Sequence, residues 1–150
     1  MAYQPSIEQV LVTLLARTVS GSSADIILPD WCTSAIVKVT CTPVTGTTPT
    51  LNVYIQSKLG TAAAGDGEQL LGPTGTATYD DFVSFTQITA AATRIARVVG
   101  GGNVEHAAAD GALTAGSMRN GPIGRAWRIK WVIGGTNPSL TFAVMAQFIA

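Results

Sequence analysis

Hydrophobic and polar residues alternate along residues 124–150, on both sides of a short Gly/Pro-containing turn. One set consists of Trp127, Ile129, Trp131 and Ile133 before the turn and of Leu140, Phe142, Val144 and Ala146 after it. Period-two alternation places such a set on one face of a β-sheet. The pattern therefore predicts a hairpin of two strands whose alternating hydrophobic set faces a core.

The same design occurs earlier, in residues 36–56. Its turn, Gly46–Leu51, matches Gly135–Leu140, which follows it by 89 residues. Val37, Val39, Val53 and Ile55 are expected to join the same core. Two copies of one pattern predict two structurally equivalent hairpins in a sandwich, whereas the alternative is that Gly-Thr-x-Pro is favourable turn chemistry used twice.

The rest of the chain also indicates strands separated by turns. Residues 7–17 fit either a helix face or a strand, and their Thr and Val content together with the Ser-Gly-Ser-Ser turn that follows favours a strand. Shorter strands are predicted at residues 25–28, 79–89 and 94–99, with long irregular loops at 57–78 and 100–124 and a flexible arm at 1–6. The prediction is one all-β domain spanning 1–150, a β-sandwich of jelly-roll-like type.

Composition narrows the class of partner. Only 12% of residues are charged, against about 25% in typical soluble domains, and the formal net charge is zero. Nine basic residues balanced by nine acidic ones give no basic footprint, so nucleic acid is not an expected partner. No apolar run reaches the ~18 residues of a membrane span. So few charges predict that much of the surface, including the loops, is covered by other protein subunits.

Candidate chemistry is sparse. His106, near Glu105 and Asp110, is the only histidine, and it is expected to be a solvated loop residue rather than a metal ligand or proton carrier. Asp80 and Asp81 are expected to be solvated or to cap a turn, because adjacent strand residues point to opposite faces and do not easily share one site. No catalytic, cofactor-binding or metal-binding residue is assigned, and no cofactor is expected.

Cysteine and tryptophan add structural expectations. Cys32 and Cys41 suggest neither a disulfide scaffold nor a metal site, and Cys41 is in phase with the hydrophobic positions before it, as a small buried residue would be. Trp127 and Trp131 favour a core pair, although with Trp31 they leave open a sugar-stacking platform.

Three segments carry a family resemblance: TPTLNVYIQ, DFVSFTQITAA and RAWRIKWVIGGTNPSLTFAV. They resemble small β-sandwich proteins encoded among the head genes of tailed bacteriophages, in which phrases such as TLDVxIQ, FTQxTAAG and RAxWxxxGTxPSxTF occur. The corresponding positions here are Thr50–Gln56, Phe85–Ala91 and Arg125–Phe142. The long Ala/Gly loops depart from that pattern.

The resemblance implies a virion structural protein without catalytic residues, such as a capsid decoration (cement) protein on the capsid exterior. It would bind the major capsid protein, as a homotrimer by preference, after assembly in the host cytoplasm. The alternatives are a tail or head–tail connector structural protein, or a carbohydrate-binding module on the particle surface. An enzyme is not expected, because the residues that catalysis requires are missing.

Overall fold

A computed structural model of the chain describes residues 5–59, 77–102 and 105–150. These residues form seven strands and no helix, which confirms the all-β class. The strands are β1 (Ser6–Arg17), β2 (Gly21–Ser22), β3 (Ile26–Ile27), β4 (Ser34–Leu59), β5 (Thr78–Ser84), β6 (Ala92–Val99) and β7 (Ala126–Ile149).

Two predicted boundaries need correction. The predicted arm 1–6 ends too late, because Ser6 already pairs with Ile149 in β1, and residues 1–4 lie outside the described ranges. The predicted loop 57–78 is also too long, since Ser57 pairs with both Asp80 and Trp127 and Leu59 pairs with Thr78. Residues 60–76 of that loop lie outside the described residues. The predicted loop 100–124 contains no named strand in its described part.

The two predicted hairpins are wrong. β4 and β7 are each one long strand, and they pair antiparallel with each other from Ser34–Ile149 to Ser57–Trp127. The Gly-Thr-x-Pro motifs do bend the chain, but the two halves of each strand pair with the other long strand and with shorter strands rather than with each other. The turn residues were therefore correctly predicted to change the direction of the chain. The residues that pair with each motif, however, belong to the other copy of the motif, 89 residues away.

The two motifs meet at the middle of this ladder and are structurally equivalent. Gly46 and Gly135 have φ values of 111° and 107°, and Thr48 and Asn137 both have φ of 48°. A Cβ on Gly46 would lie 2.7 Å from the backbone oxygen of Asn137, and one on Gly135 would lie 2.6 Å from that of Thr48. The motifs therefore interlock about an approximate twofold axis, and glycine is required at both positions by φ and by space.

Bending at the motifs folds the sheet over into two layers. Layer A consists of β1, residues 140–149 of β7, residues 34–41 of β4, and β6. Layer B consists of β2, β3, residues 126–133 of β7, residues 50–59 of β4, and β5. The rings of Trp127 and Phe148, at opposite ends of one strand, are 5.7 Å apart, so the two layers face each other.

The core lies between the layers and contains the predicted residues. Trp127, Ile129, Leu140, Phe142, Val144, Val37, Val39, Val53 and Ile55 are buried. Trp131 is partly exposed and packs against this cluster, with its ring 5.7 Å from that of Phe142. Period two thus identified the inward positions of both long strands, even though their pairing was predicted incorrectly.

Candidate functional site

The described part of the irregular segment, residues 105–119, runs along the outer edge of β5. The Asp81 N–H donates to the Ala109 carbonyl at 2.7 Å, and the Arg119 N–H donates to the Phe82 carbonyl at 2.8 Å. Further along, the Ser84 N–H donates to the Ser117 carbonyl at 2.9 Å. These bonds satisfy backbone groups that an edge strand would otherwise leave unpaired.

Asp81 is the centre of this attachment and is completely buried. Its carboxylate accepts a hydrogen bond from Gln56 Nε2 at 2.7 Å and three more from the backbone N–H groups of Gly111, Ala112 and Leu113, at 2.8–3.1 Å. A buried charge is tolerated when hydrogen bonds replace its hydration. Asp81 therefore holds the turn at residues 111–113 against the sheet.

Asp110 extends the network to the outer face of layer B. Its carboxylate accepts hydrogen bonds from Gln56 Nε2 at 2.8 Å, Lys130 Nζ at 2.8 Å and an Arg128 guanidinium N–H at 3.0 Å. Partial burial opposes ionisation of Asp110, but these hydrogen bonds and the two positive charges outweigh it and hold the pKa of Asp110 below its ordinary value. The segment is thus fixed by charge as well as by backbone bonds.

Asp80 holds the same segment a few residues away. Its carboxylate lies 2.6 Å from His106 Nε2, and it accepts hydrogen bonds from the Ala109 N–H and from Arg119, each at 2.9 Å. His106 is therefore an exposed residue bonded to a carboxylate, where a solvated loop histidine was predicted. Within the part of the chain that the structure describes, no three His, Cys, Asp or Glu side chains are grouped so that they could hold a metal ion.

Asp80 and Asp81 were predicted to be solvated or to cap a turn. Both accept hydrogen bonds from backbone N–H groups, as capping residues do, but Asp81 is completely buried and Asp80 is partly buried. The two carboxylates share no hydrogen-bond partner, in keeping with the opposite faces predicted for them, although both contact residues 105–119. Asp80 and Asp81 pair in regular register with Ser57 and Gln56, so they stay on opposite faces of β5, and the bulge of this strand lies beyond them, at Phe82. The segment also approaches from the strand edge, where side chains from both faces are within reach. Sequence reasoning missed Gln56, which no local motif marks, and noted Asp110 only as a neighbour of His106.

The outer face of layer A has the opposite character. Val10, Ile95 and Val99 are 50%, 59% and 73% exposed, and no described segment crosses them. Its charged residues include Glu8 and Arg97, and neither makes an ion pair with another described residue. The chain's own segment 105–119 therefore covers the β5 side of layer B, whereas the outer face of layer A presents a bare, mixed apolar and charged surface.

Most of the cysteine and tryptophan side chains are buried or partly buried. Burial raises the pKa of the Cys41 thiol, as expected for a small core residue, and Cys32 is a free, partly buried cysteine. Trp127 is fully buried, and Trp131 packs against Phe142 with Arg17 above its ring. The arrangement matches the predicted core pair and leaves Trp31, which is 37% exposed, without a neighbouring tryptophan platform.

Comparisons of the chain with protein families, curated proteins and solved structures find no match. None of the described residues forms a helix long and apolar enough to cross a membrane.

Proposed function

We propose that this chain is a bacteriophage virion structural protein, a capsid decoration (cement) protein that binds the major capsid protein on the capsid exterior and stabilises the shell. The proposal that the particle is a tailed-bacteriophage head is based on the sequence resemblance described above. The observation that carries the proposal is the uncovered outer face of layer A in a chain with few charges. Homotrimeric assembly of the decoration protein belongs to the same proposal.

Three cross-strand rows build this face. They are Ser6–Ile149–Ser34–Val99, Glu8–Gln147–Ile36–Arg97 and Val10–Met145–Lys38–Ile95. Each row spans all four strands of layer A, so the surface is broad and rigid. Exposed apolar patches rimmed by polar residues are typical of protein–protein contact sites.

The shape of the face also favours a protein partner. A depression in this face, between Glu8, Ile36, Lys38 and Met145, has a volume of about 150 Å³. Pockets for small ligands usually have volumes of about 300–1,000 Å³. A shallow surface on a continuous sheet is better suited to a subunit of a shell, where contact area rather than enclosure gives affinity.

Thermal release of genome from particles tests the proposal. Heads that lack the protein are expected to release genome at a lower temperature than complete heads, because a ligand of the assembled shell stabilises it by mass action. Adding the protein back should restore the release temperature at both low and high salt, since apolar burial is not screened. Bare and complete heads that leak at one temperature would contradict the cement role and favour the tail or connector alternative. Restoration at low salt only would keep shell binding but contradict an apolar contact.

A pair of matched variants locates the contact. Met145→Glu places a charge in the centre of the layer A face, whereas Ile27→Glu places one on layer B at a side chain that is 66% exposed. Met145→Glu is expected to lose restoration of the release temperature, and Ile27→Glu is expected to retain it. The opposite pattern would assign shell binding to layer B. Unfolding in urea checks that both variants are folded.

A further inference from the structure

We infer that copies of this chain join edge to edge, with residues 6–12 of β1 in one copy adding antiparallel to β6 of the next copy. The inference deepens the homo-oligomer part of the proposed function, since it names the strands that make the contact. Its test uses isolated protein, so it fails or succeeds independently of capsid binding.

The two edges of layer A are open in the described structure. β1 pairs only with β7, and β6 pairs only with β4. In layer B, by contrast, residues 116–119 cover β5, and the opposite edge consists of the two-residue strands β2 and β3. A long uncovered edge presents a row of unpaired N–H and C=O groups, which is the template for adding another strand.

Arg17 limits how much of the β1 edge is free. Its guanidinium donates to the carbonyl oxygens of Thr13 and Leu15, each at 3.1 Å, and to that of Phe142 at 3.2 Å. The carboxyl end of β1 is therefore capped by the chain itself. The open part is residues 6–12, of which Ser6–Val10 pair in regular register with β7 before an extra residue at Leu11, and this regular stretch is the part that can continue alongside β6.

The strand directions suit addition of a second copy. Each neighbouring pair in layer A is antiparallel, so in the order β1–β7–β4–β6 the first and last strands run in opposite directions. A second copy in the same orientation then brings its β1 alongside β6 as an antiparallel partner. The four-stranded layer continues without a change of pattern.

The register is set by continuing the rows of the sheet. Glu8 and Arg97 end one row, and Val10 and Ile95 end the next. Extending these rows across the junction places Glu8 of one copy opposite Arg97 of the other, with Val10 opposite Ile95 on the same outer face. Opposite charges and apolar pairs at such positions both stabilise antiparallel strands.

Other edge pairings are less favourable. Two β6 strands related by a twofold axis would gain no charge pair, because β6 contains two arginines and no acidic residue. Two β1 strands would gain no charge pair and would leave both β6 edges open. The β1–β6 contact is head-to-tail, so it closes into a ring or continues as a filament. We expect the ring to be the homotrimer proposed above.

Charge reversal tests the contact in solution, with molar mass and affinity measured by light scattering and sedimentation. Wild type is expected to exceed the 15.5 kDa of one chain. Glu8→Arg and Arg97→Glu are each expected to weaken association about tenfold, and the double variant to restore it within about threefold. Lys38→Glu reverses a charge on the same face, one strand from the edge, and is expected to have no effect.

Three outcomes would overturn the inference. They are a wild-type chain that stays monomeric at every concentration tested, single reversals without effect, and a double reversal without recovery. Weakening by Glu8→Arg without weakening by Arg97→Glu would place β1 but not β6 at the contact, which would also contradict the inference.

Cysteine crosslinking gives an independent measurement of the register. A mixture of Val10→Cys and Ile95→Cys proteins is expected to form a covalent dimer on oxidation, because cross-strand neighbours lie within disulfide reach. Either protein alone is expected to crosslink no more than wild type, which retains Cys32 and Cys41. Equal crosslinking in all samples would contradict the proposed register.

Discussion

Asp81 provides the sharpest test of how the 105–119 segment is held. Asp81→Ala removes the acceptor for four hydrogen bonds, one from Gln56 and three from the backbone at residues 111–113. Hydrogen bonds to a charged group contribute about 1.5–3 kcal/mol each. The total is smaller than four such terms, because the segment can move into water and Gln56 retains its bond to Asp110. We expect a loss of about 3–5 kcal/mol in the free energy of unfolding.

Two measurements and two further variants check this reasoning. Urea unfolding gives the free energy, and hydrogen exchange at the amides of residues 111–113 shows whether the segment is released locally. Asp81→Asn keeps one acceptor oxygen and should cost about 2–3 kcal/mol. Asp30→Ala removes an aspartate whose side chain is 81% exposed in its ion pair with Arg125, and it should change stability by no more than about 0.5 kcal/mol. A loss below about 1 kcal/mol for Asp81→Ala, with unchanged exchange, would refute the anchoring role.

Three further predictions concern the core, the interlocked motifs and pH. Phe142→Ala should cost about 3–5 kcal/mol in denaturant unfolding, and a loss below about 1 kcal/mol would contradict its place in the core. Gly135→Ala should cost more than about 1 kcal/mol because its Cβ would meet the Thr48 oxygen, whereas Gly101→Ala, with nothing within 4 Å, should be nearly neutral. Folding lowers the pKa of Asp110, so the contribution of its carboxylate to the free energy of unfolding is present above about pH 3.8. That contribution is lost as the pH falls through the lower pKa of the folded state. Melting curves of Asp110→Asn should therefore show a weaker loss of stability in that acidic range than wild type.

The alternation of side chains could be read directly from the sequence because it depends on strand geometry alone. Trp127, Phe142 and Val144 occupy inward positions whichever strand lies beside them. The partner of each strand could not be read in the same way. Gly46 and Gly135 determine where the chain bends, but a bend is equally compatible with a hairpin and with a long strand paired elsewhere. The repeat of the motif contained the missing information, since each copy pairs with the other.

The polar anchor was beyond sequence reasoning for a different reason. Alternation assigns Asp80 and Asp81 to opposite faces, which their regular pairing with Ser57 and Gln56 bears out, but it does not reveal that one segment reaches both side chains from the strand edge. Gln56 lies on the outer face of layer B, where a polar residue is expected, and it is buried only because residues 105–119 cover it. The sequence offered one signal of this anchor, which is the pair of adjacent aspartates, Asp80 and Asp81, in a chain with few charged residues.

The β4–β7 ladder has a consequence for how the chain is made. Its strands are far apart in sequence, so the ladder cannot form on the ribosome until β7 has emerged, long after β4. Because the ribosome adds about 5–20 residues per second, the edge of β4 that will pair with β7 stays unpaired for several seconds. Non-local pairing of this kind slows folding and prolongs exposure of aggregation-prone edges. Chains halted before β7 are therefore expected to depend on chaperones, and full-length yield should rise when synthesis proceeds at lower temperature.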